Sequence, residues 1–470
     1  MNIAVFSGEL SGDLIGGALA RELRRLAPEA VLWGLGSQSM RDAGVELLAD
    51  SAAWGAIGVT EAVSKIPVLL LRIAPLVRKA LMERRPDVVV LIDFGAFNVR
   101  VARHCKQLGL KVCYYFPPSS WRRTGTTGAE LARITDLLAT PFPWSAERFR
   151  SLGANAVCVG HPLLERVHPQ MSRAEFARRF GIDANQPILG LLPGSRHHEI
   201  RHLMPVLLGA ARQIYREVPT AQFVIGLAPS IPMEEMRRFL TQQADAAGKL
   251  THLWHEIVQE AETRVIQPVA RTAGTLSSQS NRRMLVTEGG LLVPEEDLQK
   301  EMEARRRSQQ LRAQAEKALP PLIMVQGLTY DVMTHSDLLL ICSGTATLEA
   351  AICGTPMVIV YRGSWLLGQE WRLRGGSRKI PHIGLPNILA ERTIVPELIQ
   401  DAATPEAIAQ AALPLLNDVE TRHRVKQDLQ AVREMLGAPG ASERTARLVL
   451  DMASAQVLGP NAQYPGPNTG

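Results

Sequence analysis

Short β-branched runs alternate with helical patterns along most of this chain, and one run, Val88-Val89-Val90-Leu91-Ile92, has no polar alternate face. A strand that is apolar on both sides must be covered on both sides, which is the condition of a parallel sheet sandwiched by helices. Further strands are predicted over Ile3–Phe6, Val31–Leu35, Lys111–Phe116 and Asp136–Ala139, with amphipathic stretches such as Leu14–Leu26 between them. That order predicts a doubly wound α/β domain.

The pattern pauses near Gly160-His161-Pro162 and then restarts. Strands are predicted over Pro187–Leu192, Gln222–Ile225, Leu322–Val325, Asp337–Ile341 and Met357–Tyr361. One core would be too large for 470 residues. The fold class is therefore α/β, with two Rossmann-like doubly wound parallel-sheet domains facing a cleft. The domains are expected over 1–163 and 164–455, the second interrupted by an insert at about 249–319, with a disordered tail over 456–470. Within the insert a hairpin is predicted from Arg283–Val286 to Leu291–Val293, followed by a solvated helix over Glu295–Ala318.

Charge narrows the partners. Lys plus Arg is 52 against 46 acidic residues, a net +6 that permits an anionic substrate or membrane surface without requiring nucleic acid. Five scattered cysteines without C-x-x-C spacing read as reduced thiols in a cytosolic protein. The chain opens directly on a strand pattern and no apolar run reaches ~18 residues, so it is expected to be soluble or to lie on a membrane. Lys65–Arg85 mixes Val68-Leu69-Leu70-Leu71 with Arg72, Arg78, Lys79, Arg84 and Arg85. It reads either as a core helix with snorkelling arginines or as a helix docked on anionic headgroups.

Ligands of open parallel sheets bind beyond the carboxyl ends of the strands. Four such ends carry suggestive residues. Ser343-Gly344-Thr345 opens a helix whose free N–H groups suit a phosphate, and Glu349, one turn in, can reach a ribose hydroxyl; the alternative is a helix capped by Ser343 or Thr345. Pro193-Gly194-Ser195-Arg196 can aim a guanidinium at a departing phosphate, or be a plain turn. Asp93 stands where a general base would, or caps the next helix. Ser7-Gly8-Glu9 ends the first strand in a small-residue turn. His198-Glu199-Ile200-Arg201-His202 is literally H-E-x-x-H, a zinc spacing, but it opens a helix after a turn and contains Arg201. Asp-x-Asp is absent, so sugar-nucleotide chemistry here would rest on helix dipoles and arginine, with no metal or cofactor expected.

Taken in order, these segments resemble the lipid-A-disaccharide synthase family of GT-B glycosyltransferases. The resemblance is carried by Ser7-Gly8-Glu9-Leu10-Ser11-Gly12-Asp13 with Gly16, Ile57-Gly58-Val59-Thr60-Glu61, Asp93 with Phe97-Asn98, and Gly160-His161-Pro162. It continues through Leu192-Pro193-Gly194-Ser195-Arg196 with Glu199, Ser343–Glu349, Met357–Arg362 and Leu385-Pro386-Asn387-Ile388-Leu389. It implies transfer of an acylated glucosamine from UDP to an acylated glucosamine 1-phosphate, without metal, at the inner face of the cytoplasmic membrane. It implies Asp93 as general base and Arg196, with Ser195 and Glu199, at the pyrophosphate. Ser343, Gly344, Thr345 and Glu349 would hold the nucleotide, with Tyr361 and Asn387 on the donor side. Glu9, Ser11, Gly12 and His161 would line the acceptor side. A UDP-sugar donor, a lipid acceptor and the membrane are the expected partners, and a homodimer is compatible with the pattern.

The chain departs from the family in three places. Ser119-Ser120-Trp121-Arg122-Arg123-Thr124 stands where the family carries a Trp-Ala-Trp-Arg-like run, Ala96 replaces a second carboxylate, and the insert is unusual. Rival readings are a GT-B transferase with another UDP-sugar or lipid acceptor, a non-catalytic nucleotide-binding relative, and a zinc hydrolase on His198 and His202.

Overall fold

The computed structural model describes residues 1–51, 67–246, 284–286, 292–294, 322–363 and 382–454. The first sheet contains β1 (Asn2–Ser7), β2 (Val31–Gly36), β3 (Glu46–Asp50), β4 (Val88–Ile92), β5 (Lys111–Tyr115), β6 (Leu137–Thr140) and β7 (Ala156–Cys158). These run parallel in the order β3-β2-β1-β4-β5-β6-β7. All five side chains of β4 are 0% exposed. Val89 and Leu91 enter one core, Val88, Val90 and Ile92 the other, so the run without a polar face is covered on both sides as its composition requires. Each such burial contributes about 1.5–3 kcal/mol.

The second sheet begins with β8 (Ile188–Leu192) and β9 (Gln222–Leu227). After the antiparallel hairpin of β10 (Met284–Val286) and β11 (Leu292–Pro294), it resumes with β12 (Leu322–Gln326), β13 (Leu338–Cys342), β14 (Met357–Tyr361) and β15 (Glu397–Ile399). Its order is β12-β9-β8-β13-β14-β15, again parallel throughout. Each sheet therefore grows outward from its first strand, then crosses back to grow on the other side. The reversal lies between β1 and β4 in one sheet and between β8 and β13 in the other. Neighbouring loops there leave to opposite faces and open a crevice.

Three strands escape the sequence reading: β3, β7 and β15 are short edge strands with half-buried side chains, so none shows a long apolar run. A larger correction concerns the domain map, which carried the second domain to 455. The last helix, Ala441–Ala453, packs on the helix Leu10–Leu26, and its Ala446, Leu448 and Val449 share a core with Ile3, Val5 and Val90. Arg25 and Glu443 join the two helices by an ion pair at 3.1 Å. An apolar helical stripe does not state which of two sheets it will cover, so periodicity alone could not place it. The segment Ile57–Glu61, the helix expected over Glu295–Ala318 and the tail lie outside the described residues.

Within the basic segment a π-helical turn at Leu69–Ile73 continues as the helix Ala74–Arg84. Ile73, Val77, Ala80 and Leu81 sit in the first core, while Leu71 is 77% exposed and Met82 58%. One face belongs to the core and the other is apolar and basic at once. Among the described residues no helix is long and apolar enough to cross a membrane.

Candidate active site

Both reversals carry the residues singled out above. Ser7, at the end of β1, pairs with Ile92 at the end of β4, which brings Glu9 and Asp93 to one crevice. Leu192 of β8 pairs with Ile341 of β13, and Cys342 with Val360 of β14, which brings Arg196, Ser343-Gly344 and Tyr361 to the other. Four helices start here: Leu10–Leu26, Gly95–Gln107, His197–Glu217 and Thr345–Cys353. None has a side-chain cap, which they share with most of the described helices; Ser172, Thr404 and Asp418 are the exceptions among them. Ser343 and Thr345 are thus not caps; the Ser343 hydroxyl donates to the Ile383 carbonyl instead (3.3 Å). Uncapped N–H groups at four dipole-positive ends favour an anion between them.

Asp93 opens to the crevice, yet protein crowds its carboxyl enough that loss of solvation raises its pKa, partly offset by the Phe94 N–H. Glu9 is raised as well, first by burial and then by the Asp93 charge, while Arg196 pulls it down. Glu9 thus senses charges from both domains.

The turn before Arg196 is built by Glu199. This buried carboxylate accepts from Ser195 N (2.9 Å) and pairs with the Arg196 guanidinium, fixing the direction of the arginine. Gly194 sits at φ 114°, and a Cβ on it would fall 2.3 Å from Glu199 Oε2, so the turn needs glycine. The glutamate of H-E-x-x-H is therefore committed to the turn. His198 is exposed, and half-buried His202 has its pKa lowered by burial and by the positive charges of His198, Arg362 and Arg201. Such surroundings disfavour a divalent cation; among the described residues no group of three or more metal-ligating side chains occurs.

Glu349 accepts from the Tyr330 hydroxyl (3.1 Å), which in turn accepts from Arg166 (3.3 Å) of the short helix joining the domains. Burial raises the Glu349 carboxyl; Tyr330 and Arg166 lower it. Tyr361 lies half-buried and is raised by burial first, with Cys342, Glu199 and Arg196 also acting on it. Neither Tyr330 nor Arg166 carries a sequence signal that marks it.

Two residues expected in the crevices are occupied elsewhere. Asn387 is 0% exposed; its amide donates to Val395 O and Glu397 and accepts from Ile394 N and Val395 N, exhausting its four bonds. It shapes the loop around Glu397, which also holds Ile383 N and Gly384 N, and does not reach outward to the donor side. His161 is buried against Phe116 and Phe142, with Nδ1 accepting from Leu163 N (3.3 Å), and burial pushes its pKa down to about 3. It is a neutral packing group at the domain junction, not an acceptor contact.

Ser11 is half-buried and Gly12 buried in the turn of helix after Glu9. A Cβ at Gly12 would meet Ser7 Oγ at 2.5 Å, so that glycine serves close packing. Asp13 of the same run accepts from Ser37, Ser39 and Met40 N–H groups and anchors the loop after β2.

The altered run at 119–124 bridges the domains. Arg123 stacks on Trp144 at 4.1 Å, donates to Leu389 O at 3.0 Å and pairs with Glu391 at 3.2 Å. The departure from the family pattern thus falls on a contact between domains.

The lipid-A-disaccharide synthetase family model matches residues 3–267 and 296–451. The chain belongs to the lipid-A-disaccharide synthetase family. Only 268–295 is unmatched within that span, a narrower interruption than the insert expected at about 249–319. The lipid-A-disaccharide synthase of Geobacter sulfurreducens is 33% identical over 97% of this chain and 98% of its own length. That of Geobacter metallireducens is 34% identical over 96% and 97%. Among solved structures, UDP-GlcNAc 2-epimerase of Neisseria meningitidis, bound to UDP-GlcNAc, superposes with a TM-score of 0.52 at 11% identity, covering 96% of this chain and 100% of that one. The S. aureus MnaA–UDP structure gives 0.53 at 10% identity, covering 99% of both. These likenesses establish the fold, two parallel-sheet domains in the GT-B arrangement.

Proposed function

We propose that this member of the family is an inverting glycosyltransferase that moves an acylated glucosamine from UDP to an acylated glucosamine 1-phosphate, giving the lipid A disaccharide precursor and UDP. One observation carries the mechanism: Asp93 and Glu9 follow the strand ends at the reversal of the first sheet, and Arg196 and the uncapped start of the helix Thr345–Cys353 follow those at the reversal of the second. Asp93 takes the proton of the acceptor hydroxyl as that oxygen bonds to the anomeric carbon. The bond from that carbon to UDP breaks, its electron pair staying on the phosphate. Attack opposite the leaving group inverts the anomeric centre. Arg196, held by Glu199, and the N–H groups of Gly344 and Thr345 take up the charge that grows on UDP. Glu349 holds the ribose, Ser195 and Tyr361 lie on the donor side, and Glu9, Ser11 and Gly12 form the acceptor floor.

UDP release should require the acceptor lipid; equal release without it would point to a hydrolase instead. Glu349→Ala should weaken UDP binding about tenfold by removing a charge-assisted hydrogen bond to the ribose, measured by calorimetry. Unchanged affinity would remove Glu349 from the nucleotide site.

The apolar and basic face around Leu71 supports docking on the anionic inner face of the cytoplasmic membrane, where the lipid substrates would be met. Binding to anionic vesicles should weaken with salt. Replacing Arg72, Arg78 and Lys79 by Gln should weaken it further, by roughly 1 kcal/mol per charge. Vesicle binding indifferent to both would leave this helix a plain part of the core.

A further inference from the structure

We propose that Tyr114 is a positioning residue for the transfer reaction, its hydroxyl holding the Asp93 backbone in the conformation that presents the carboxylate to the acceptor. This rests on the reading of Asp93 as general base. Asp93 and Phe94 both lie in the left-handed region, at φ 46° and 52°, which non-glycine residues adopt only at a cost. Two consecutive such residues need outside support, and the structure supplies it. The Tyr114 hydroxyl donates to the Asp93 carbonyl at 2.8 Å, and Asn98 Nδ2 donates to the same oxygen at 2.9 Å. Both lone pairs of that oxygen are thereby engaged. The Phe94 ring fills the space above Gly8, where a Cβ would fall 2.2 Å from it.

The two donors are not equivalent. Asn98 also donates to Ile92 O (3.1 Å), so it ties the strand end as a whole. Tyr114 is 0% exposed on β5, and Asp93 O is its hydroxyl's partner. Removing that oxygen releases one bond to one peptide and leaves the ring's packing in place. Burial, and then the Asp93 charge, raise the phenol's pKa, so the hydroxyl stays protonated and can only keep donating.

Tyr114→Phe should lower kcat about tenfold, as for loss of one buried hydrogen bond, with the donor KM and UDP affinity unchanged. UDP affinity, carried by the other domain, together with a thermal melt of the whole chain reports that the protein is folded. In an Asp93→Asn background the same substitution should cost nothing further, because the hydroxyl acts only through Asp93. Three results overturn the proposal: wild-type kcat in Tyr114→Phe, a tenfold loss that persists beside Asp93→Asn, or loss of UDP binding and folding together. Near wild-type turnover of Asp93→Asn alone would instead sink the base assignment, so the two failures are distinguishable.

Discussion

Asp93→Asn should lower turnover by about 10²–10⁴-fold while UDP affinity stays almost unchanged, the range typical when a general base is lost. The amide keeps the shape of the carboxyl and the bonds to its backbone carbonyl, but it cannot take a proton. The wild-type pH profile should carry a matching signature. Reduced solvation raises the Asp93 carboxyl, so the base protonates, and activity falls, at a pH above the ordinary aspartate value of about 3.9. Glu9 is raised too, by burial first and by the Asp93 charge second, so the acid limb reports the pair and not one residue. In the residual activity of Asp93→Asn the limb should move to lower pH, because Glu9 loses the Asp93 charge that helps to raise it. An unchanged limb in that variant would assign it to another group.

Arg196→Ala should be nearly as severe, with turnover down about 10²–10³-fold, as for other groups that meet charge growing in the transition state. UDP binding should weaken too, because in the proposed mechanism the guanidinium that pairs with Glu199 meets the pyrophosphate. Lysine should not restore the loss, since a point charge cannot both pair with Glu199 and present a planar fork to a phosphate. Glu199→Gln should produce a milder version of the same defect through a misdirected arginine. If alanine at 196 leaves both turnover and affinity intact, the turn is structural and the charge on UDP is met elsewhere.

What the sequence made legible follows from chemistry that is local in the chain. Val88–Ile92 announced a strand covered on both sides, and the small-residue turns at Ser7, Pro193 and Ser343 marked strand ends that open into helices. Their meeting at two chain reversals came from topology, which the alternation of strands and helices already implied. The remainder depended on contacts distant in sequence. The last helix covers the first sheet because its stripe fits beside Leu10–Leu26, across most of the chain. Asn387 and His161 looked like crevice residues because they stand in motifs, but their polar atoms are spent inside the protein. Tyr330, Glu397 and Tyr114 had no motif at all; each acts through a single hydrogen bond or a small set of them that only the folded chain creates.

The central claim is that the two crevices join two sugars, with the donor's anomeric centre inverted between Asp93 and Arg196. It is tested most directly by incubating the protein with UDP carrying an acylated glucosamine and with acylated glucosamine 1-phosphate, then determining the product by mass spectrometry and its anomeric linkage by NMR. The account predicts one equivalent of UDP for each β-linked disaccharide. A retained α linkage, an epimerised UDP-sugar, or free acylated glucosamine beside UDP would contradict it.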